Sequence, residues 1–242
     1  PATAYSEIHA AIAAAHRPML LNICNFLQPN QYAAGQPSVA ESVFNSYSFG
    51  PGVANSWRTD TDVGRPGKVH FEEVLRNVDA DAAQPDAAGP GHWNDPDYLG
   101  PDQGMSARQF RAQFSMWSIL AAPLMISDNL TTISRASLAT VSNSSVVAID
   151  QDHAAVQGRL ISTEGSAQVW AKHLADGSVA VVLLNRGHKT LKVSTNTHAV
   201  GLPAVPRYSI QNLWTGATRS SAGALSAYVP AQATVLLRAG ID

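Results

Sequence analysis

Two short polar stretches hold the residue types most capable of chemistry in this 242-residue chain. The first contains Trp57, Arg58, Asp60 and Asp62 within six positions. An arginine can hold a carboxylate or a sugar hydroxyl in a fixed geometry, and an aspartate can transfer a proton if its pKa is tuned. The second stretch, residues 91–99, again places two carboxylates after a tryptophan. Aromatic faces beside carboxylates are typical of carbohydrate sites, so the spacing predicts sugar binding combined with proton transfer.

The second stretch reads Trp93-Asn94-Asp95-Pro96-Asp97-Tyr98, and its two carboxylates allow two interpretations. A carboxylate pair can begin a metal site, but no histidine or third acid recurs nearby at ligand spacing. Alternatively, the pair can hold an arginine or a loop through charge-assisted hydrogen bonds. We expect this supporting role, with no metal and no organic cofactor.

Composition excludes several classes of function. The formal net charge is −2 and no Lys/Arg-rich run is present, which argues against a nucleic-acid partner. No apolar stretch approaches the roughly 20 residues that a membrane span needs. Cys24 is the only cysteine, so we expect no internal disulfide and no cysteine-based zinc site. The chain does not begin with Met, so the lack of a signal peptide says little about the full gene product.

The first 152 residues alternate helical and apolar strand-like segments, and polar residues follow the strands. This rhythm is typical of a β/α barrel, in which the chemistry lies at the C-terminal ends of the strands. Only about four of the eight units of a closed barrel are visible, so we expect the chain to start partway through a barrel. The expected elements are a helix over 3–15, strands over 19–24 and 53–58, a helix over 68–79, a helix after the capping box at 106–109, a strand over 122–128, a helix near 133–142 and an apolar run over 146–150.

The pattern changes after residue 152. Alternating residues at 167–172, a turn at 175–178 and a β-rich run over 178–184 predict a hairpin. Further short strands are expected at 191–194, 208–214, 225–229 and 233–238. The sequence therefore predicts two domains, a half-barrel over 1–152 and an antiparallel β-sandwich over 153–242.

Five stretches carry a resemblance to glycoside hydrolase family 27, the family of α-galactosidases and α-N-acetylgalactosaminidases. The resemblance implies the second half of a (β/α)8 TIM barrel followed by a C-terminal antiparallel β-sandwich. It also implies hydrolysis of terminal α-linked sugars in an oligosaccharide or polysaccharide, and an extracellular protein whose signal lies outside this chain. The matching stretches are Ser56-Trp57-Arg58 with Asp62, then residues 88–97, 121–125, 147–152 and 182–186.

The family's mechanism is retaining, with one Asp as nucleophile and a second as acid and then base, usually about 5–5.5 Å apart. The resemblance assigns the acid/base role to Asp62 and contact with the sugar and the carboxylates to Arg58. The family's nucleophile lies in a Lys-x-Asp pattern on the fourth barrel strand, which we expect upstream of Pro1. The upstream half of the barrel is therefore an expected partner, and the isolated chain is expected to be inactive.

The loop after the fifth barrel strand departs from the family pattern. The α-galactosidases resemble Cys-Glu-Trp there, whereas this chain has Cys24-Asn25-Phe26 followed by Leu27-Gln28. The resemblance implies that Cys24, Asn25, Gln28 and Tyr98 bind substrate, the last at a position where the family often has Met. Because an amide replaces a carboxylate, the sugar stays open between galactose and two other family activities, isomalto-dextranase and β-L-arabinopyranosidase.

Each candidate residue also has an ordinary structural interpretation. Asp62 could cap a turn, and Arg58 could form a plain salt bridge. Trp57 and Trp93 are expected to be core aromatics, which places Trp57 with Asp95 and Asp97 as support for the site. Cys24 would be a buried, inert thiol, and we expect Asp60 to be solvated. A non-catalytic carbohydrate-binding relative is the alternative to an enzyme.

Overall fold

The structure is a computed structural model that describes residues 2–24, 46–65 and 67–241. Its helices occur close to the positions that the sequence predicts, and the capping box at Ser106 and Gln109 is formed by both side chains. Short 3₁₀ turns cover Ser46–Ser48, Gly50–Gly52 and Pro85–Ala87. The helices are α1 Ala2–Ala14, α2 Phe71–Ala82, α3 Ala107–Leu120, α4 Arg135–Val141 and α5 Ser144–Asp150.

A parallel sheet forms the first part of the fold. Its strands are β1 Asn22–Ile23, β2 Ser56–Arg58 and β5 Trp93–Asp95, in the spatial order β1-β2-β5. A two-residue hairpin, β3 Gly64–Arg65 and β4 Lys68–Val69, lies between β2 and α2. The register pairs Arg58 with Asp95, so the two polar stretches meet at one edge of the sheet.

The strand predicted over 122–128 is wrong as an extended element. One parallel bridge joins Leu99 to Ile126, with hydrogen bonds from Leu99 N to Met125 O (2.8 Å) and from Ser127 N to Leu99 O (3.0 Å). Pro123 has no backbone N–H to donate, which shortens the possible ladder. The apolar run at 146–150 lies within helix α5, whose start is capped by the Asn143 side chain.

Helix α1 exists, but its apolar stripe does not pack as the sequence predicts. None of its described side chains is buried, and Ile8 is 44% exposed. Tyr5 packs against the cluster that contains Ile23 and Trp57, whereas the rest of the apolar stripe stays at least partly exposed in this chain.

The second part is an antiparallel β-sandwich, as predicted. The strands are β6 Arg159–Glu164, β7 Ala167–His173, β8 Val179–Asn185, β9 Leu191–Asn196, β10 Tyr208–Asn212, β11 Thr218–Ser221, β12 Ala224–Val229 and β13 Ala233–Ile241. Six strands form one sheet in the order β11-β10-β13-β8-β7-β6, and β9 pairs with β12. Strands β6 and β11 were not predicted: β6 is exposed along its whole length and β11 is exposed except at its last residue, so neither has a buried face.

One hydrophobic core crosses from the barrel helices into the sandwich. Helix α3 buries Trp117, and the six-stranded sheet contributes Trp170 and Val182 to the same cluster. A second cluster fills the space between the two sheets of the sandwich. The domain boundary at 152 and 153 stays a prediction, and the shared core shows that the two parts bury apolar surface against each other.

Buried polar contacts reinforce this junction. The ammonium of Lys172, on β7, donates to the carbonyl oxygens of Ile149 (2.7 Å) and Asp150 (3.3 Å) at the end of α5. Burial lowers the pKa of Lys172 to about 8, although the charges of Asp150 and Asp152 oppose that shift. On α3, the Ser115 hydroxyl receives hydrogen bonds from the Trp214 indole and the Thr234 hydroxyl.

The shared core predicts that the half-barrel and the sandwich unfold together. Trp170→Ala should lower the free energy of unfolding by about 3–5 kcal/mol and keep a single transition, because the cavity opens in a core that both parts share. Denaturant unfolding followed by near-UV and far-UV circular dichroism measures this. Tyr228→Ala, at an exposed aromatic on β12, is the control and should change stability by less than about 0.5 kcal/mol. Two separated transitions in the Trp170 variant would contradict the prediction.

Candidate active site

A single guanidinium joins the two polar stretches. Arg58 Nη2 lies 3.1 Å from Asp62 Oδ1 and 3.0 Å from Asp97 Oδ2, and the Arg58 side chain is only 12% exposed. Asp62 is reached four residues along the chain, whereas Asp97 comes from the loop after β5. Asp97, the second carboxylate of the Trp93–Tyr98 stretch, thus contacts Arg58. This is the contact with an arginine that the sequence analysis gave as one interpretation of the pair.

Contacts of both the backbone and the side chain hold Asp97 in place. Its φ of 90° lies in the left-handed region, which non-glycine residues rarely adopt. The Asp97 carbonyl accepts from the Trp117 indole at 2.7 Å, and the Asp97 amide donates to Asp95 Oδ1 at 2.9 Å. Asp97 Oδ2 also accepts from the Val63 amide at 2.8 Å. These contacts hold a strained conformation that directs the carboxylate at Arg58.

Charge and burial compete in this group of residues. Burial raises the pKa of Asp97 to about 6, against the opposing effect of Arg58 and of hydrogen bonds from the Val63 and Tyr98 amides. Burial disfavours the charge on Arg58, yet Asp97 and Asp95 together hold its pKa above the usual value. The arginine therefore stays charged wherever Asp97 is ionised.

Asp95 supports the site by contacts to strand β1 rather than to Arg58. Its Oδ2 accepts from the Asn22 amide at 2.7 Å, and the same amide nitrogen lies 2.7 Å from Ser56 Oγ. Trp57 is completely buried, donates to Asn94 Oδ1 at 2.9 Å and is therefore a core residue.

A concave cleft of about 870 Å³ runs along the inner face of the sheet. Asp62 does not line the cleft, but it contacts Arg58, which does. Tyr98 does line it, and its hydroxyl is buried without a partner in the described part of the chain. The predicted residues that line the cleft are Cys24, Arg58, Asp95, Asp97 and Tyr98, and Trp93 lines it as well.

Two expectations about the site are corrected. Asp60 is not solvated: its side chain is 10% exposed, its Oδ1 accepts from the Thr61 amide at 2.6 Å, and Arg76 lies 3.8 Å from its Oδ2. Cys24 is exposed rather than buried, although partial burial raises the pKa of its thiol. Asn25 and Gln28 lie outside the described residues.

Helix α2 holds the Asp62 loop through two residues that the sequence analysis missed. Arg76 donates to the Asp62 carbonyl at 3.0 Å. The buried amide of Asn77 donates to the carbonyls of Thr61 (2.7 Å) and Pro96 (2.9 Å), so it joins the loops after β2 and β5. An asparagine within the apolar stripe of α2 was the available signal.

Neither a metal cluster nor a membrane span occurs in the described residues. No group of three His, Cys, Asp or Glu side chains is placed to hold an ion there. In the same residues no helix has the length and apolar character needed to cross a bilayer.

Two family models match the chain. The model described as "Alpha galactosidase A" matches residues 2–152, and "Alpha galactosidase C-terminal beta sandwich domain" matches residues 164–239. A probable α-galactosidase of Dictyostelium discoideum is 33% identical over 89% of this chain and 52% of its own length. An α-galactosidase A of Cellvibrio japonicus is 30% identical over 98% of this chain and 59% of its own length. The chain thus spans between half and three-fifths of these relatives.

Solved structures show the same fold. α-Galactosidase I from Mortierella vinacea matches with a TM-score of 0.85 and 23% identity, over 100% of this chain and 63% of that protein. A family 27 β-L-arabinopyranosidase from Geobacillus stearothermophilus matches with a TM-score of 0.84 and 18% identity, over 100% and 55%. These matches confirm the second half of a TIM barrel followed by a β-sandwich. Together with the family models, they show that the chain belongs to glycoside hydrolase family 27, the α-galactosidase family.

Proposed function

We propose that this chain supplies the acid/base half of a retaining glycosidase site for terminal α-linked sugars, of α-galactosidase type. The observation that carries the proposal is the Arg58 guanidinium held between Asp62 and Asp97 where parallel strands end beside a cleft. Relatives that are named α-galactosidases support the sugar class. The natural substrate is then an oligosaccharide or polysaccharide.

Asp62 is the proposed acid/base. In the first step it gives its proton to the glycosidic oxygen as the carbon–oxygen bond breaks, while a second carboxylate bonds to the anomeric carbon. In the second step the ionised Asp62 takes a proton from water, and that water releases the sugar from the covalent intermediate. Its 40% exposed side chain suits both steps, because it must reach substrate and water.

Arg58 and Asp97 position this acid. The guanidinium lies within contact distance of both carboxylates, so it fixes the Asp62 side chain and can also reach a sugar hydroxyl. Cys24 and Tyr98 would form part of the sugar pocket because both line the cleft. Asn25 and Gln28 are proposed for the same role from their positions in the sequence.

The nucleophile is proposed to come from an upstream half-barrel. Because the chain spans between half and three-fifths of its relatives, the remaining barrel strands are expected in the complete protein. The two domains proposed here are residues 1–152 and 153–242. An extracellular location is proposed from the family resemblance.

The first prediction tests the reaction and the sugar together. The complete protein, or this chain combined with its upstream half, should hydrolyse aryl α-galactoside in preference to aryl β-L-arabinopyranoside and dextran. Asp62→Asn should abolish hydrolysis of natural α-galactosides, because a carboxamide cannot donate the proton. Its effect on bond cleavage should be smaller with good leaving groups, whose departure needs less acid assistance. The rate of sugar release from natural α-galactosides measures the first effect. The initial burst of aryl alcohol from aryl glycosides measures the second.

Asp128→Asn, at a carboxylate outside both polar stretches, is the control and should retain activity. Full activity of the Asp62 variant on natural glycosides would remove Asp62 from its role. Binding of sugar without cleavage by the unmodified protein would favour a non-catalytic relative.

The second prediction concerns the arginine. Arg58→Lys keeps the charge but removes the planar guanidinium whose Nη2 contacts both Asp62 and Asp97, so kcat/KM should fall by the equivalent of about 2–4 kcal/mol. Arg159→Lys, at an exposed ion pair with Asp86, is the matched control and should leave kcat/KM unchanged. Steady-state kinetics on the cleaved glycoside measure both, and equal kcat/KM values for the two variants would contradict the role of Arg58.

The third prediction follows from the raised pKa of Asp97, about 6 against a usual value of 3.8. The folded state keeps this proton at pH values where the unfolded state has lost it, so this group's contribution to stability falls as pH rises from about 4 to about 6. Asp97→Asn removes that dependence. The difference in unfolding free energy between wild type and variant should change by about 3 kcal/mol across this window.

Urea unfolding at a series of pH values measures this difference. Asp176→Asn is a control of opposite sign at lower pH: hydrogen bonds from Ser178 lower the pKa of Asp176 from its usual value of 3.8, so its contribution to stability is lost only as pH falls below that value. A pH-independent difference for the Asp97 variant would show that Asp97 titrates normally.

A further inference from the structure

A line of buried polar side chains leads from the site to the end of α2. The Trp57 indole donates to Asn94 Oδ1 at 2.9 Å, and the Asn94 amide donates to Gln157 Oε1, also at 2.9 Å. The Gln157 amide then donates to Asp81 Oδ1 at 2.6 Å and lies 3.2 Å from the Asp81 carbonyl. All four residues are buried, and Asp81 and Trp57 have no exposed surface.

This line joins strands β2 and β5 to helix α2 and to the segment before β6. Trp57 immediately precedes Arg58 on β2, and Asn94 immediately precedes Asp95 on β5, where the register pairs Trp57 with Asn94 and Arg58 with Asp95. Gln157 lies between α5 and β6, so it brings in the segment that leads to the sandwich.

The Gln157 end of the line is itself immobilised. The neighbouring Gly158 amide donates to the Ile119 carbonyl on α3 at 2.8 Å. A side chain at position 158 would put its Cβ 2.6 Å from that same oxygen, so the backbone approach requires glycine. Asn94 is held a second time, by donation to the Gln84 carbonyl at 2.9 Å.

We infer that Asp81, Gln157 and Asn94 act as positioning residues that orient Trp57 and, through it, the Arg58 guanidinium. None of the three lines the cleft. A shift of β2 against β5 would leave their buried polar side chains without hydrogen-bond partners, which is costly. These residues therefore hold the register of the two strands from the side of the sheet away from the cleft. The part of this inference that concerns catalysis rests on the proposed function.

Asp81 fulfils this role as the buried acceptor at the end of the line. Burial raises its pKa well above the usual value, the charge of Asp95 adds to that shift, and the hydrogen bond from Gln157 opposes it. Its Oδ2 is buried and has no partner in the described part of the chain. The Tyr47 hydroxyl, which donates to the Ala80 carbonyl at 3.3 Å, is a further titratable group near this carboxyl.

The acceptor role of Asp81 predicts a difference between two substitutions at this position. Asp81→Asn keeps an acceptor oxygen for Gln157 and carries no charge, so kcat/KM should remain within about twofold of wild type. Asp81→Ala leaves the Gln157 amide without its side-chain acceptor, so kcat/KM should fall at least about tenfold at a temperature well below unfolding. These fold-changes correspond to about 0.4 and 1.4 kcal/mol.

The measurement uses the complete protein, with kcat and KM determined separately on the glycoside that wild type cleaves. The Trp57 indole N–H resonance, assigned by Trp57→Phe, should move in Asp81→Ala and stay in place in Asp81→Asn. Asp79→Ala, an exposed site on α2 whose carboxylate pairs with Arg186, is the control and should change neither readout. Gln157→Met is the second variant if Asp81→Ala does not fold, and it should reproduce the loss.

Three outcomes would overturn the inference. Asp81→Ala with lower thermal stability but wild-type kcat/KM and an unmoved indole resonance would make the line merely structural. Asp81→Asn as damaging as Asp81→Ala would show that the charge is required. If wild type cleaves no glycoside, the proposed function fails, and an unmoved Trp57 resonance in Asp81→Ala would still reject the positioning line.

Discussion

The structure depends on keeping one arginine charged in a largely buried position. Removing a guanidinium from water is costly unless anions and hydrogen-bond acceptors surround it. Asp62 and Asp97 supply the anions, one from the same loop and one from the next strand along the sheet. This need explains the positive φ at Asp97 and the amide of Asn77, which ties together the carbonyls of Thr61 and Pro96. The strained backbone at Asp97 and the Asn77 contacts both help to place a carboxylate beside Arg58.

The rigidity of this arrangement comes from outside the sheet. Strands of two or three residues cannot fix side chains through their own ladders, so the sheet needs packing from behind. Helix α3 provides it: the Trp117 indole bonds to the Asp97 carbonyl, and the same helix packs against the six-stranded sheet. The sandwich therefore stabilises the site at a distance, and the segment at Gln157 and Gly158 makes a direct polar connection between the two parts.

The sequence predicted the fold class and most elements because their signals are local. Three examples are the capping box at Ser106, the hairpin at 167–184 and the alternation in the sandwich strands. Each is formed by residues that are close together in the sequence. Strand β5 was missed because Asn94, Asp95 and Pro96 carry turn signals, and its pairing with β2 depends on residues about 37 positions away. The burial of Asp60 and its contact with Arg76 are likewise tertiary facts. The contact of Asp97 with Arg58 needed a strained backbone that no spacing rule predicts.

The two carboxylates that share Arg58 differ in ways that suit different roles. The Asp97 side chain is 6% exposed and is fixed by the Val63 amide as well as by the arginine, so it has little freedom to follow a reacting oxygen. The Asp62 side chain is 40% exposed and contacts the same guanidinium at a similar distance. An acid that later becomes a base must exchange its proton with substrate and then with water, which requires a carboxylate that is free to move. Asp97 lines the cleft but is held by both the Val63 amide and Arg58. These contacts and exposures are consistent with the support role proposed for Asp97 and the acid/base role proposed for Asp62.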